Sequence, residues 1–237
     1  MGRKRLSRKE LVQKDEITTT LETITAFLLQ HRKRIGTSVG VVVAGVVIFV
    51  AWNVYAANLE ANSQNELSEV IAIYTDTDRF DSNKVRFEAV LAEAQELRDN
   101  YPNLPVSQIA EYYMALSYEG LDNSDESLRI LRNLIDSGDE AVKDVARFAL
   151  GEFYKTHGDF EAAVIVFKEL IDTEGYTQGA VLFELGSLHE SLSKFEEARS
   201  YYQSIVSEYP DSPFRSAAER ASERLLTDEI EDKNIEP

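Results

Sequence analysis

The chain has 237 residues, no cysteine and a formal net charge of −17 at pH 7. This length suits one globular domain or several small stacked units. The absence of cysteine excludes disulfides, thiolate zinc sites and cysteine nucleophiles. Residues 1–35 carry nine basic and four acidic side chains, so the rest of the chain is even more acidic than the total. An acidic body repels phosphates, which argues against nucleic-acid binding, whereas the short basic end suits a membrane surface.

Residues 1–34 predict a basic amphipathic helix on the cytoplasmic side of a membrane. The stretch Ser7-Arg8-Lys9-Glu10 has the form of a capping box. Apolar residues then recur at helical spacing, at Ile17, Leu21, Ile24 and Leu28. The basic side chains suit lipid headgroups, so we expect this segment to contact membrane lipid. A helix that docks on a membrane partner fits the same pattern.

Residues 35–55 predict one transmembrane signal-anchor helix. No charged residue lies between Arg34 and Glu60, and the apolar core runs from Ile35 to Trp52. As a helix this core would be about 27 Å long, close to the hydrocarbon thickness of a bilayer. The basic cluster before it and the aromatic residues at its end indicate a cytoplasmic N-terminus, which places the acidic body on the far side.

Other interpretations of the apolar run fit less well. A cleaved signal peptide would use the loose cleavage site Val54-Tyr55-Ala56, but its leader would be far too long for a usual n-region. A buried core helix is rarely so β-branched and uninterrupted beside clustered cations. No cysteine follows the run, which excludes a lipid-anchored lipoprotein.

Small residues recur every four positions on one face of the predicted span, at Gly36, Gly40 and Ala44. A face of this kind lets two helices approach closely. It would allow two spans to pair as a homodimer, although small residues are common in membrane helices in general.

A pattern of small and aromatic residues recurs along the acidic body. The clearest copy is Leu150-Gly151, Tyr154, Gly158, Phe160, Ala163 and Phe167. The next copy is Leu185-Gly186, His189, Ser193, Phe195, Ala198 and Tyr202. A degraded copy precedes them at Met114-Ala115, Tyr118, Asp122, Ser124, Ser127 and Leu131, and a fainter second helix carries Phe87, Val90, Ala94 and Leu97. Each copy predicts two antiparallel helices that approach at small residues and need a neighbour to cover their remaining face.

At these residues the chain resembles the tetratricopeptide repeat family, whose helix-turn-helix unit of about 34 residues has an L-G…Y…A…F…P pattern. The resemblance implies an all-α fold. A single N-terminal transmembrane helix would be followed by a tetratricopeptide-type α-solenoid of antiparallel helix pairs and a C-terminal capping helix. The early tryptophan of the family is absent, since Glu111, Arg147 and Leu182 stand at its place. His189 also replaces the usual tyrosine.

These patterns divide the chain into six predicted segments. They are a cytoplasmic basic segment (1–34), a transmembrane helix (35–55), membrane-proximal helices with a degenerate repeat (56–107), the tetratricopeptide repeats (108–212), a capping helix (213–226) and a disordered acidic tail (227–237). We expect Ser212 to cap the last helix and Pro213 to begin it.

No residue pattern indicates catalysis, a metal site or a cofactor. His31, His157 and His189 have no ligand spacing to one another, and no glycine-rich loop fits a phosphate. The many glutamates lie on amphipathic helices, which is typical of a solvated face. We therefore expect a non-catalytic protein that uses no metal and no cofactor.

The repeat resemblance implies a partner-binding groove lined by the first helices of successive units. We name this surface the predicted groove, and it consists of Tyr112, Leu116, Glu119, Phe148, Glu152, Lys155, Phe183, Ser187 and Glu190. Tyr112, Phe148 and Phe183 fall in register and could hold an extended or helical apolar peptide. The alternative is that these rings pack inside the domain, because aromatic residues at helical spacing are usually core.

The layout as a whole resembles the bacterial family of membrane-anchored ancillary Sec-translocon subunits. That resemblance implies a single-pass protein of the bacterial inner membrane with a cytoplasmic N-terminus and periplasmic repeats. Its partners would be translocon subunits, a periplasmic chaperone or emerging clients. The stretch SEYPDSPFRSAAERASERL also resembles the closing helices of periplasmic repeat proteins that coordinate cell division or outer-membrane assembly. An envelope scaffold of that kind is the alternative.

Overall fold

A computed structural model describes residues 30, 44–171 and 178–235, with side chains described as far as residue 227. The predicted amphipathic segment, apart from Gln30, and the glycines at 36 and 40 of the predicted pairing face lie outside these residues. Over residues 44–171 and 178–235 the chain forms nine α-helices and no strand. The helices are α1 Ala44–Thr75, α2 Asn83–Asn100, α3 Pro105–Gly120, α4 Ser124–Ser137, α5 Glu140–Thr156, α6 Phe160–Glu169, α7 Gln178–Ser191, α8 Phe195–Glu208 and α9 Arg215–Ile235.

Helix α1 is the one helix in the described part of the chain that is long and apolar enough to cross a membrane. One window of 18 residues in it has a mean hydropathy of 1.3, and none of that window is buried. Ile48, Phe49 and Trp52 are each 68–69% exposed. The helix does not end at residue 55, where the sequence pattern placed the end of the span.

The compact unit Ala61–Pro237 is built from helices that each pack against the next one in the chain. Three helix pairs follow one another: α3 with α4, α5 with α6, and α7 with α8. The first helices are also neighbours, since α3 contacts α5. Residues from the end of α1 pack with α2 in the same core, where Val70, Val90 and Leu97 are fully buried. This arrangement is a tetratricopeptide-like solenoid.

The turn inside each of the three pairs has the same backbone conformation. Asp122, Gly158 and Ser193 occupy equivalent places and have φ angles of 58°, 77° and 58°. The next residue donates its N–H to the carbonyl five positions back, at 2.9, 2.9 and 2.8 Å, which closes the Schellman motif that ends a helix. Only Gly158 is a glycine. The other two turns keep the same positive φ with Asp122 and Ser193, although glycine adopts that conformation most easily.

Glycine has a second role where the two helices of a pair cross. A Cβ added at Gly151 would lie 2.6 Å from Cε2 of Phe167, and one at Gly186 would lie 2.5 Å from Cε1 of Tyr202. Both rings are almost fully buried. The sequence predicted this close approach from the spacing of small and aromatic residues, and the structure shows the same contact in both repeats.

The C-terminal end differs from the sequence prediction. Helix α9 begins at Arg215 and continues to Ile235, so residues 227–235, which were predicted to be disordered, are helical. Residues 227–235 contain no glycine or proline, and their glutamates and lysine favour helix. Ser212 accepts a hydrogen bond from the N–H of Phe214 at 3.2 Å, so it closes a turn before the helix instead of capping it.

Candidate functional site

The three aromatic rings of the predicted groove lie on α3, α5 and α7, the first helices of the three pairs. Each ring is half-buried and packs edge-on or tilted against a neighbouring ring. Tyr112 contacts Tyr113 with centroids 5.4 Å apart, and Phe148 contacts Phe167 at 5.1 Å. Phe183 contacts Tyr202 at 5.5 Å. The rings therefore belong partly to the core of their own repeat and still show part of their surface to solvent.

The remaining apolar and small members of the groove lie on the same helices. Leu116 and Ser187 are half-buried, and Leu116 packs against the buried core that contains Val70, Val90 and Leu97. Phe183 also contacts Phe214 at 5.4 Å, just ahead of α9. Partner binding at these positions stays a prediction.

Lys155 connects two successive first helices through its ammonium group. It donates to Glu152 on its own helix at 2.7 Å and to Glu184 on α7 at 2.6 Å. Burial disfavours the charge on Lys155, but the hydrogen bonds to both carboxylates outweigh it and raise the pKa of the lysine. Burial raises the pKa of Glu184, with the Lys155 hydrogen bond opposing that shift. This ionic group therefore joins α5 to α7 at the groove.

Glu190 connects α7 to α9. Its Oε2 accepts a hydrogen bond from Nη2 of Arg224 at 2.6 Å, and its Oε1 accepts one from the Tyr202 hydroxyl at 2.7 Å. Burial, followed by the hydrogen bond to Glu190, raises the pKa of Tyr202, so the phenol stays protonated and keeps donating. Glu190 is thus compensated by one cation and one buried donor.

Glu119 stands at the junction of the first two pairs. Its Oε1 lies 3.6 Å from Nε2 of His157, in the turn after α5. The same Nε2 lies 3.1 Å from Oγ of Ser124, and Nδ1 lies 2.8 Å from the carbonyl oxygen of Phe153. The His157 ring also stacks on Phe153 with centroids 4.2 Å apart. The histidine is therefore held in place by contacts on both nitrogens and one face.

These contacts form a row along the first helices that the sequence prediction only partly found. Glu119, Lys155 and Glu190 were in the predicted groove, whereas Glu184 and Arg224 were not. Arg224 continues the series, because it follows Glu190 by 34 residues and has the opposite charge. Acidic and basic residues alternate at this repeat position, in the order Glu119, Lys155, Glu190 and Arg224, and that alternation in the sequence could have identified Arg224. We name the side chains of these ionic contacts the charged row; they are Glu119, Glu152, Lys155, Glu184, Glu190 and Arg224.

Within residues 44–171 and 178–235 no group of three or more histidine, aspartate or glutamate side chains could hold a metal ion. The remaining described member of the predicted pairing face, Ala44, lies on α1 and is exposed. In the described part of the chain, the charged row and the half-buried aromatic rings lie on the same helices and combine charge with partly exposed apolar surface.

Comparison with known proteins supports the repeat architecture. A family profile described as a tetratricopeptide repeat-like domain matches residues 31–219. A solved structure of MamA AMB-1 is similar to this chain with a TM-score of 0.50 and 15% sequence identity, over 77% of this chain and 88% of that chain. At this identity the likeness shows the fold alone. No curated protein matches the sequence. Because the profile covers most of the chain and the helices have the expected arrangement, the chain belongs to the tetratricopeptide repeat-like domain family.

Proposed function

We propose that this protein is a membrane-anchored adaptor of the bacterial inner membrane. Its periplasmic repeats would bind protein partners at the Sec translocon, either periplasmic chaperones or emerging clients. The observation that carries the proposal is the combination of an exposed apolar helix with a repeat fold used for protein–protein interaction. Repeat folds of this kind scaffold protein contacts, and we assign no catalytic step to the chain.

Helix α1 supports the membrane part of the proposal. Large apolar side chains such as Ile48 and Phe49 are about two-thirds exposed, and a contiguous surface of that kind is unfavourable in water. A bilayer would cover it, and the helix is long enough to reach across the hydrocarbon. The family profile also begins at residue 31, so it includes the apolar run together with the repeats.

The orientation is inferred from the charges that flank the run. Arg32, Lys33 and Arg34 precede it, and positive residues are retained on the cytoplasmic side. The repeats would then lie in the periplasm. A chain without cysteine is compatible with that compartment, as it is with any other. A reporter that is active only outside the cytoplasm should work when fused after Pro237. Activity of a reporter that works only inside the cytoplasm would contradict this orientation.

The partner is tested by cross-linking in intact cells. A photo-reactive amino acid placed at Tyr112 or Phe183 should capture Sec subunits or a periplasmic chaperone. The same probe at Glu161 or Glu196, which are exposed on second helices, is the matched control and should capture neither. Capture of only division or outer-membrane assembly proteins from the groove positions would replace the translocon proposal with the envelope-scaffold alternative. Capture from the control positions alone would remove the groove from the proposal.

A further inference from the structure

The charged row contains more carboxylates than cations. Its four carboxylates face two permanent cations, Lys155 and Arg224. Arg224 is used by Glu190, which also receives the Tyr202 hydroxyl. The excess of negative charge therefore lies toward the other end of the row, on α3 and α5 and at Glu184 in the middle of α7.

One part of this excess surrounds Lys155. A single ammonium lies within hydrogen-bond distance of two carboxylates, Glu152 at 2.7 Å and Glu184 at 2.6 Å. One positive charge balances only one of them. Glu152 is the more exposed of the two, with 38% of its side chain accessible compared with 19% for Glu184, so a ligand would meet Glu152 first.

The other part is Glu119. In the described part of the chain no lysine or arginine lies within salt-bridge distance of it, and its contact is His157 at 3.6 Å. Nδ1 of His157 lies 2.8 Å from the carbonyl oxygen of Phe153, and Nε2 lies 3.1 Å from the Ser124 hydroxyl, so Glu119 shares this nitrogen with the serine. The second oxygen of the Glu119 carboxylate is covered without a hydrogen-bond donor.

Glu119, which has no permanent cation within reach, and Glu152, which shares Lys155 with Glu184, stand beside the aromatic rings on the same helix faces. Glu119 follows Tyr112 by seven residues and Glu152 follows Phe148 by four, which are same-face spacings on an α-helix. At about 1.5 Å per residue, Glu152 lies roughly 6 Å and Glu119 roughly 10.5 Å along the helix axis from the ring on its own helix. The rings are in register across the helices, whereas Glu119 stands at the repeat position of Lys155, about one turn beyond that of Glu152, so the acids flank the rings at two successive turns.

We propose that the predicted groove selects a segment of a partner protein that has an apolar edge and a basic edge. The apolar edge lies over Tyr112, Phe148 and Phe183, and lysine or arginine side chains lie over Glu119 and Glu152. A segment with aspartate or glutamate at the same places is rejected, because like charges would face each other across the groove. This inference rests on the proposed function, since it specifies the partner of the same surface.

The test compares two labelled peptides that share their apolar residues and carry either lysine or glutamate at the remaining positions. Binding to the full chain in nanodiscs of zwitterionic lipid is followed by fluorescence anisotropy, with empty nanodiscs subtracted. We expect the lysine peptide to bind at least about tenfold more tightly than the glutamate peptide near physiological salt. Glu119→Gln combined with Glu152→Gln should remove most of that difference, and Glu119→Lys should shift the preference toward the glutamate peptide.

The matched control is the double variant Glu161→Gln and Glu196→Gln, which changes the net charge equally on exposed second-helix positions. It should leave both affinities unchanged. Equal binding of the two peptides by the native chain would overturn the charge preference while leaving the groove as a binding surface. If the control variant lost the preference for the lysine peptide to the same extent, the charge preference would also be overturned, because the effect would then come from the net charge of the chain. Binding of neither peptide would overturn the groove as well. Displacement of the lysine peptide by unlabelled full chain would assign the groove to a second copy and overturn the proposal.

Discussion

Replacing Gly151 with alanine tests whether the repeats are held together by the close crossing of their two helices. The added Cβ would lie 2.6 Å from Cε2, 2.7 Å from Cζ and 3.0 Å from Cδ2 of Phe167. Non-bonded carbons prefer separations of about 3.5–4.0 Å, so the ring or the helix must move. Phe167 is fully buried and packs edge-on against Phe148 at 5.1 Å, which leaves the ring little room.

The expected cost follows from two opposing effects. Forcing an extra carbon into a packed core costs about 1–3 kcal/mol, and we expect the upper part of that range, about 2–3 kcal/mol, because the Phe167 ring has little room to move. Exchanging glycine for alanine inside a helix stabilises it by about 1 kcal/mol. We therefore expect Gly151→Ala to lower the free energy of unfolding by about 1–2 kcal/mol. For a domain of this size the melting temperature should fall by about 2–8 °C, measured by circular dichroism of the full chain in detergent.

A second variant shows whether the clash with Phe167 is the cause. Phe167→Leu removes the ring that the alanine Cβ would meet, so the double variant should be more stable than the sum of the single effects by about 0.5–3 kcal/mol. Gly158→Ala is the matched control. Its φ of 77° is strained for alanine, but no heavy atom lies within 4 Å of the added Cβ, so its cost should simply add to that of Phe167→Leu. A Gly151→Ala protein as stable as the native one, or strict additivity with Phe167→Leu, would refute the reasoning.

Three further changes test the turns, the buried hydroxyl and the buried carboxylate. Ser193→Gly should raise the free energy of unfolding by about 0.5–1 kcal/mol, because the φ of 58° suits glycine; chemical denaturation that shows a loss would contradict this. Tyr202→Phe should cost about 1–2 kcal/mol in the same assay, since Glu190 loses its 2.7 Å donor, and no change would show that Arg224 alone is sufficient. Burial raises the pKa of Glu184 in the folded chain above its ordinary value of 4.5, so folding favours the protonated carboxyl. The stability that this group contributes to the fold is therefore fully present below pH 4.5 and is lost as the pH rises through the folded pKa. Thermal melts from pH 4.5 upward should therefore show the native chain losing stability relative to Glu184→Gln, and a constant difference between them would contradict the shift.

The helix pairs could be predicted from the sequence because their signals are local. A second copy of the pattern repeats Leu150, Gly151 and Ala163, with Tyr202 in the place of Phe167. Small residues at this spacing from a large ring predict the close crossing of two helices. The turn positions could be predicted for the same reason, since Asp122 and Ser193 align with Gly158. These features depend on residues that are close together in the chain.

The groove could be predicted only as a set of positions. Repeat spacing placed Tyr112, Phe148 and Phe183 in register, but their burial depends on the neighbouring rings that each helix meets. The sequence reasoning offered exposure and packing as alternatives, and the structure shows half-buried rings that combine the two. Whether they bind a partner is the subject of the cross-linking experiment.

The sequence by itself determined the class of fold, because periodic small and aromatic residues select antiparallel helix pairs that must stack. Repeat spacing could indicate that acids and bases alternate along the row, but only the tertiary structure decided which of them lie within hydrogen-bond distance. Lys155 on α5 reaches Glu184 on α7, and Glu190 on α7 reaches Arg224 on α9. These contacts depend on how far each helix pair is rotated against the next helices. Periodicity in the sequence contains no measure of that rotation. The balance of charge in the groove, and with it the kind of partner we propose, therefore follows from the packing of the repeats.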